Sequence, residues 1–447
     1  MSSSTTPTPA RSVSRRRFLG GLTAAASAPF ILPSRTWAAE VAANERLTIG
    51  VIGTGKMHSG LMNNMLNRRE TFVAAVCDVD TTRREHALNR VNQHYAEREE
   101  KQNACTAYND FRELIARDDI DAVIVVTPDH WHIPISIAAA KAKKDIYCEK
   151  PLTHTVAESI AIMKAVHENG VILQTGSQQR SSREFRVACE LVQNGVIGDI
   201  SKVLTSFGDP GRWCDLPGEE LEPGLDWDMW LGAAPEREYN SILAPRGVHD
   251  HFPNWRNYME YGGGMVTDWG AHHLDIAQWG LGMDGSNPVR VEPPEEENAR
   301  RGAKLIYDNG VEVIHGGDRG VEFIGSKGTV VVNRGRFELF WGEEREFVSV
   351  NQLDEVEAKY LPEGSKQLYR SGHHQQDWLD CIASREQPIC GVDVGARSAL
   401  ACHLMNITYL NHAAFDWDPV NNTFANNTGK PEWTTKEYRG GWGEGIV

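Results

Sequence analysis

The chain has 447 residues, a formal net charge of -15, 24% charged residues and an apolar share of 40%. Counting its 41 glycines as well, the apolar fraction is about 49%, the globular average, which excludes a disordered chain, a collagen-like repeat and a small disulfide scaffold. The length allows two or three domains, the acidity argues against nucleic-acid and anionic-lipid partners, and no run of about 18 apolar residues encodes a membrane span.

Residues 1–38 carry Arg11, Arg15, Arg16, Arg17 and Arg35 and no acidic residue. The segment Ser14-Arg15-Arg16-Arg17-Phe18-Leu19 precedes a weakly apolar stretch, Gly20 to Leu32, and then small residues at Thr36 and Ala38, where a signal peptidase reads. This pattern reads as an export signal and is kept out of fold reasoning. Its order, Ser-Arg-Arg-x-Phe-Leu, resembles the twin-arginine signal, so a periplasmic or otherwise exported protein that meets the export machinery is expected. Cys77, Cys105, Cys148, Cys189, Cys214, Cys381, Cys390 and Cys402 form no C-x-x-C pair; no zinc or redox motif follows, and most are expected to be buried thiols.

From residue 45 to 175, β-rich runs alternate with helical patterns. Leu47–Ile52, Phe72–Cys77, Thr106–Tyr108, Ala122–Val126, Ile146–Cys148 and Val171–Gln174 are predicted strands. Helices are predicted through Leu61–Leu66 and over 81–100, 110–117, 133–143 and 155–168. This alternation predicts βαβ units and a doubly wound parallel sheet. From 176 to 415 the pattern changes. Ile200–Phe207, Ala303–Tyr307, Val311–His315, Val321–Gly325, Thr329–Asn333 and Phe337–Trp341 read as antiparallel strands, and 373–386 and 395–412 as helices. Asp308-Asn309-Gly310 and Ser326-Lys327-Gly328 read as hairpin turns. The fold class is therefore α/β, with a Rossmann domain followed by an α+β domain built on a large, mostly antiparallel open sheet. Residues 416–447 read as an irregular tail lying over the surface.

Gly53-Thr54-Gly55 follows the first strand and opens the first helix. Glycines there permit a tight turn and the close approach of a pyrophosphate to the helix N-terminus. The third position of the fingerprint is His58 rather than glycine. Asp78 ends the second strand, 25 residues after Gly53. A carboxylate there hydrogen-bonds ribose hydroxyls and repels a 2′-phosphate, which favours NAD; Arg83 and Arg84 keep NADP open.

Two segments after later strands make the pattern specific: Thr127-Pro128-Asp129-His130-Trp131-His132 and Cys148-Glu149-Lys150-Pro151-Leu152. A third, Gly262-Gly263-Gly264-Met265-Val266-Thr267-Asp268-Trp269-Gly270-Ala271-His272-His273-Leu274-Asp275, lies in the second domain. Together they resemble the Gfo/Idh/MocA family of sugar and polyol oxidoreductases, in its exported branch. The resemblance covers nearly all of 46–415. It implies an active site in the cleft between the domains, at the carboxyl ends of the parallel strands, and a homodimer or homotetramer formed through the large sheet.

Oxidising a secondary alcohol requires a base for the hydroxyl proton and a group that stabilises the developing alkoxide. Asp268 and His272 are four apart and share a helix face. The resemblance implies His272 as acid/base, Asp268 as orienting carboxylate and Lys150 as hydrogen-bond donor to the reacting oxygen. The expected coenzyme contacts are Gly53, Thr54, Gly55, Lys56, Met57, Asp78, Thr127, Pro128, His132, Glu149, Lys150 and Gln178. Arg180, Trp255, Trp269 and His273 are the expected substrate contacts. Asp268, His272, His273 and Asp275, or His249 and His251, offer donor atoms without a zinc spacing, and no metal is expected.

Free NAD is not expected outside the cytoplasm, so an exported enzyme must hold its coenzyme tightly and regenerate it in place. The reading is an NAD(P)-dependent oxidoreductase acting on a secondary hydroxyl of a sugar, glycoside or polyol. The alternatives are a redox-neutral glycosidase or epimerase, and a non-catalytic sugar-binding accessory protein.

Overall fold

The computed structural model describes residues 46–98, 100 and 104–446, so the expected export signal lies outside the described residues. The first domain is built on β1 (Leu47–Ile52), α1 (His58–Leu66), β2 (Thr71–Cys77), α2 (Thr81–Glu97), β3 (Thr106–Tyr108), α3 (Phe111–Ile115), β4 (Ala122–Val125), α4 (Asp129–Lys141), β5 (Asp145–Cys148), α5 (Val156–Asn169) and β6 (Leu173–Thr175). The sheet order is β3-β2-β1-β4-β5-β6 and every pairing is parallel. The central strands are buried on both faces, which is why their sequences are continuous apolar runs rather than alternating ones. The order reverses between β1 and β4, so the crevice at their carboxyl ends is where an open α/β sheet takes a ligand.

Helix α4 begins four residues earlier than the apolar pattern predicts. Pro128 precedes its first turn, and a fixed proline φ suits a helix start. Asp129, His130, Trp131 and His132 are thereby drawn onto the helix and buried.

The second domain comprises α6 (Arg183–Gln193), β7 (Ile200–Thr205), α7 (Trp227–Leu231), α8 (Gly264–Asp268), α9 (Gly270–Leu281), β8 (Arg290–Glu292), β9 (Lys304–Ile306), β10 (Glu312–His315), β11 (Val321–Gly325), β12 (Thr329–Asn333), β13 (Arg336–Trp341), β14 (Glu344–Phe347), α10 (Leu353–Tyr360), α11 (His374–Ser384), α12 (Val392–Asn411), β15 (Phe415–Asp418) and β16 (Thr423–Ala425). Its ten strands run in the order β14-β13-β12-β11-β7-β10-β9-β8-β15-β16. One pair departs from the antiparallel expectation: β7 and β10 are parallel. Apolar side chains of α6, α9 and α12 share one core with the strands.

Residues 415–425 correct the expectation of an irregular tail. They form the β15–β16 hairpin at the sheet edge. Phe415 and Trp417 point inward while Asp416 and Asp418 face outward, a two-residue alternation too short to stand out among the surrounding Asn residues. Beyond it the chain crosses to the first domain. The Trp442 ring packs on Trp131 at 4.7 Å, and Tyr438 donates to Glu158 Oε1 at 3.0 Å. All eight cysteines are free thiols, seven of them buried.

Candidate active site

At the carboxyl ends of β1, β2 and β4 lies a cavity. Gly53, Gly55, Lys56, Met57, Asp78, Thr127 and Pro128 wall it on the first-domain side. Gly53 has φ of +91°, and a Cβ there would stand 2.7 Å from the Val126 carbonyl, so this turn accepts only glycine. In front of Gly55 there is open space where a side chain would project. Asp78 Oδ2 accepts from the Thr54 amide at 2.7 Å and its hydroxyl at 3.0 Å, while Oδ1 accepts from the Asp80 amide at 2.8 Å. Oδ1 keeps a lone pair for a further donor. His58, which breaks the glycine fingerprint, is buried as the first residue of α1, its Nδ1 against the Gly55 carbonyl.

The opposite wall comes from the second domain: Trp230, Leu243, Ala244, His249, Phe252, Pro253, Trp255 and Arg256. This segment is tied across the cavity mouth at several points. The Thr81 amide donates to the Gly224 carbonyl at 2.8 Å, and the Asp226 amide to that of Val79 at 3.0 Å. Arg246 pairs with the buried Asp80 at 2.6 Å. Arg83 donates to the carbonyls of Gly247 (2.9 Å) and Pro245 and to His249 Nε2 (3.0 Å). Lys56 pairs with Asp250. Since His249 Nδ1 also bonds the His251 carbonyl, both of its ring nitrogens are engaged in the strap. Among the described residues no group of three or more His, Cys, Asp or Glu side chains is placed to hold a metal ion.

The catalytic candidates meet beside this cavity. Lys150 Nζ donates to Asp268 Oδ1 at 2.5 Å and to the Asp268 carbonyl at 3.1 Å. Arg256, which walls the cavity, brings its Nε to 3.7 Å from the same carboxylate oxygen. The Lys150–Pro151 peptide is cis. Burial opposes ionisation of Asp268, but the Lys150 and Arg256 charges outweigh it and hold the carboxyl below its usual range. The helix carrying Asp268 and His272 breaks at Trp269, where α8 ends and α9 begins. His272 is buried, and among the described residues neither ring nitrogen has a hydrogen-bond partner. Burial, aided by the positive Lys150 and Arg334, pulls its imidazole far below the ordinary value, so the ring is neutral at pH 7.

Glu149 lies under Gly176, where a Cβ would meet its carboxyl group at 2.7 Å. Burial pushes it up to about 7 against the pull of Lys150. Gln178 opens a 3₁₀ turn beyond β6, beside the Tyr147 phenol. Glu149 Oε1, Thr127 Oγ1 and His272 Nδ1 are buried without a partner. With the glycine cradle and Asp78, these orphaned polar atoms fit a dinucleotide lying from Asp78 toward Lys150.

The remaining expected contacts take these places. Arg180 is 2% exposed and forked between carboxylates: its Nε to Asp275 at 2.8 Å and 3.0 Å, its Nη atoms to Asp284 at 2.7 Å and 2.8 Å. It clamps Asp275 and Asp284 together. His273 stands about 100° round the helix from His272 and bonds the Ser206 carbonyl at 2.6 Å, away from Lys150. His132 sets Nδ1 2.7 Å from the Pro151 carbonyl and Nε2 3.0 Å from that of Thr127, of which a neutral ring donates to one, and so stands between the two first-domain motifs. Trp255 walls the coenzyme cavity. Trp269 stays partly exposed beside His272, under the Arg334 guanidinium at 4.6 Å.

Sequence reasoning missed Arg256 and Arg334. Arg256 had a usable signal, its place next to Trp255 just ahead of the glycine run. Arg334 had none, for only hairpin pairing carries residue 334 to Trp269.

Two family models match the chain: the oxidoreductase family, NAD-binding Rossmann fold, over residues 47–177, and the oxidoreductase family, C-terminal alpha/beta domain, over 190–444. Myo-inositol 2-dehydrogenase of Thermotoga maritima is 28% identical over 306 residues, 65% of this chain and 76% of that protein. The crystal structure of the aldose-aldose oxidoreductase of Caulobacter crescentus in complex with glycerol has a TM-score of 0.56 at 18% identity, covering 83% of this chain and 99% of the other. Levoglucosan dehydrogenase in complex with NADH and levoglucosan has the same TM-score and coverage, also at 18% identity.

Proposed function

The chain belongs to the Gfo/Idh/MocA oxidoreductase family, and from that premise we propose that it oxidises and reduces a secondary hydroxyl of a sugar, glycoside or polyol with a coenzyme that stays bound between turnovers. It is an NAD(P)-dependent oxidoreductase acting on CH–OH. The observation that carries the finer reading is the contact of Lys150 with Asp268 beside an unpartnered, neutral His272.

The nicotinamide, when bound, exchanges a hydride with the alcohol carbon. The chain supplies the rest. Lys150, held by Asp268, presents N–H donors to the substrate oxygen and favours its negative form. His272 is already neutral, so it takes the hydroxyl proton without first losing one of its own. In the reverse direction the imidazolium returns that proton to the nascent alkoxide.

Retention of the coenzyme is supported by the strap, since the nucleotide would lie beneath Trp230, Leu243, Phe252 and Trp255. A preference for NAD is supported by Asp78 on the cavity wall, with Arg83 committed to strap carbonyls and Arg84 to the Asp78 carbonyl and Asn109. Export along the twin-arginine route, which carries folded proteins, accords with a captive coenzyme, and the large open sheet offers the surface for a homodimer or homotetramer.

The strap also favours the second reading. A coenzyme that cannot leave must return to its starting state on the enzyme. Three routes do this: paired oxidation and reduction of two sugars, epimerisation through a ketone, and glycoside cleavage by oxidation, elimination, hydration and reduction.

The test is to purify the mature protein without added coenzyme, denature it and identify the released nucleotide by mass spectrometry. About one NAD per chain is expected for a tightly held ligand. Empty protein that binds NAD only weakly would overturn the captive reading and leave plain dehydrogenation.

A further inference from the structure

Asp268 stands among more positive charge than it can neutralise. Lys150 takes one carboxylate oxygen directly and Arg256 approaches it at 3.7 Å. A third cation, Arg334, enters from the turn between β12 and β13 and places its guanidinium carbon over the Trp269 indole, 4.6 Å from the ring centroid. It is near enough for its charge to act on Asp268, Glu149 and His272. Yet among the described residues no carboxylate lies within ion-pair distance of its guanidinium, and no side-chain or backbone acceptor takes its N–H groups. Nor is Arg334 part of the wall of the coenzyme cavity.

The nearby acids do not make up the deficit. Asp129 and Glu149 are buried away from water, which pushes both carboxyls above their usual range and Glu149 up to about 7, so that it is only partly ionised at neutral pH. Both histidines beside Arg334, His272 and His273, are neutral. Among the described residues, Asp268 is the only carboxylate within ion-pair distance of Lys150 or Arg256, and none is within that distance of Arg334. A guanidinium stacked on an indole has its ring-facing surface satisfied and its N–H fork free in the plane. That fork matches a planar carboxylate through two parallel hydrogen bonds.

We propose that Arg334 is a substrate-binding residue that takes the carboxylate of an acidic sugar, so that the substrate is a uronate or related sugar acid rather than a neutral sugar. The assignment deepens the oxidoreductase reading, since it places the acid group beside the Lys150–His272 pair. It is nonetheless a statement about binding. Trp269 then has two roles, an apolar face for the sugar ring and a platform that fixes the guanidinium.

The test is calorimetric titration of the purified, coenzyme-containing protein with D-glucuronate and D-galacturonate, and in parallel with D-glucose, D-galactose and D-glucose 6-phosphate. At least one uronate is expected to bind about tenfold more tightly than its neutral counterpart, and rising salt should weaken the uronate selectively. Arg334→Gln should lose that advantage while leaving neutral-sugar affinity within about twofold, and Arg334→Lys should restore part of it. An unchanged melting temperature of both variants confirms that they are folded. Equal binding of acid and neutral sugars, no measurable uronate binding, or an unaltered uronate affinity in Arg334→Gln would overturn the proposal. Tighter binding of the sugar phosphate than of either uronate would overturn the carboxylate assignment. None of these results bears on whether the coenzyme is reduced by an alcohol, which the absorbance of reduced nicotinamide reads separately.

Discussion

Lys150 reaches across the interdomain cleft to Asp268, 118 residues away in sequence, and holds both the carboxylate and the backbone carbonyl of that residue. The pair therefore sets the geometry of the cleft as well as its charge. Lys150→Met and His272→Ala should each lower turnover by about a thousandfold or more, since each removes a group needed for the proton or the alkoxide. Nucleotide content should stay at the wild-type level. Asp268→Asn should cost less, because Lys150 keeps its position through the carbonyl of residue 268. Turnover by coenzyme absorbance and nucleotide content by mass spectrometry separate these effects; full activity in Lys150→Met or His272→Ala would remove them from the mechanism.

The strap over the coenzyme cavity is fastened by ties of different depth, and their loss should differ accordingly. Asp250 is 93% exposed on its side chain, so Asp250→Ala should raise the nucleotide dissociation rate by less than about fivefold, the range of a solvent-screened pair. Arg246 pairs with Asp80, which is 1% exposed. Arg246→Ala leaves that carboxylate buried without a counter-charge, and about a tenfold or greater increase in release is expected. A chase with excess unlabelled nucleotide, followed in time, measures both. Identical rates in the two variants would show that the strap does not control exit.

Asp78 is placed for the adenosine ribose by its position on the cavity wall and by its anchors to Thr54 and Asp80. Asp78→Ala should weaken NAD by about tenfold, the cost of one charge-assisted hydrogen bond, and narrow the preference over NADP. Little gain in NADP affinity should accompany it, because Arg83 stays with the strap carbonyls. Apoprotein titrated with both coenzymes gives the ratio; unchanged discrimination would place the ribose elsewhere.

The first domain was legible because its sheet is buried on both faces, and buried parallel strands write themselves as short apolar runs between helical periods. Asp78, Lys150 and Thr127 stand just past such runs, so their place at the carboxyl edge followed from local sequence. The second domain was less legible. The parallel pairing of β7 with β10 joins segments about a hundred residues apart, and no local pattern encodes that choice. The strap and Arg334 belong to the same class: irregular chain and a hairpin turn acquire their meaning from what they touch. Arg180 shows the reverse error. An arginine just past a strand end reads as a ligand contact, whereas here two carboxylates distant in sequence, Asp275 and Asp284, pair with the guanidinium.

That clamp makes a prediction of its own. Arg180→Gln would leave Asp275, which has no solvent exposure, as an uncompensated buried charge. Losing one partner of a buried pair costs about 3–5 kcal/mol. The variant should melt markedly lower, while the folded fraction turns over normally and binds sugar with unchanged affinity. A normal melting temperature with impaired sugar binding would return Arg180 to the substrate site.

Several buried histidines tie the stability of the protein to acid. Burial lowers His130 to about 3, His132, His273 and His374 to about 4, and His272 by a large margin. In the unfolded chain each returns to about 6.5. Between those limits the unfolded state binds more protons than the native one, so stability falls as pH falls. The contribution is fully present above pH about 6.5 and is lost progressively toward pH about 4, at up to about 1.4 kcal/mol per pH unit for each ring. The unfolding midpoint in urea should therefore drop steeply from pH 7 to pH 5 and change little from pH 7 to pH 8. Alcohol oxidation should behave differently over the same range. With His272 neutral well below its ordinary value, the rate should show no histidine ionisation near pH 6.5, and its acid limb should lie lower. A rate profile that bends near pH 6.5 in wild-type protein but not in His272→Gln would place an ordinary, solvent-equilibrated imidazole at that position, and the neutral-base mechanism would have to be given up.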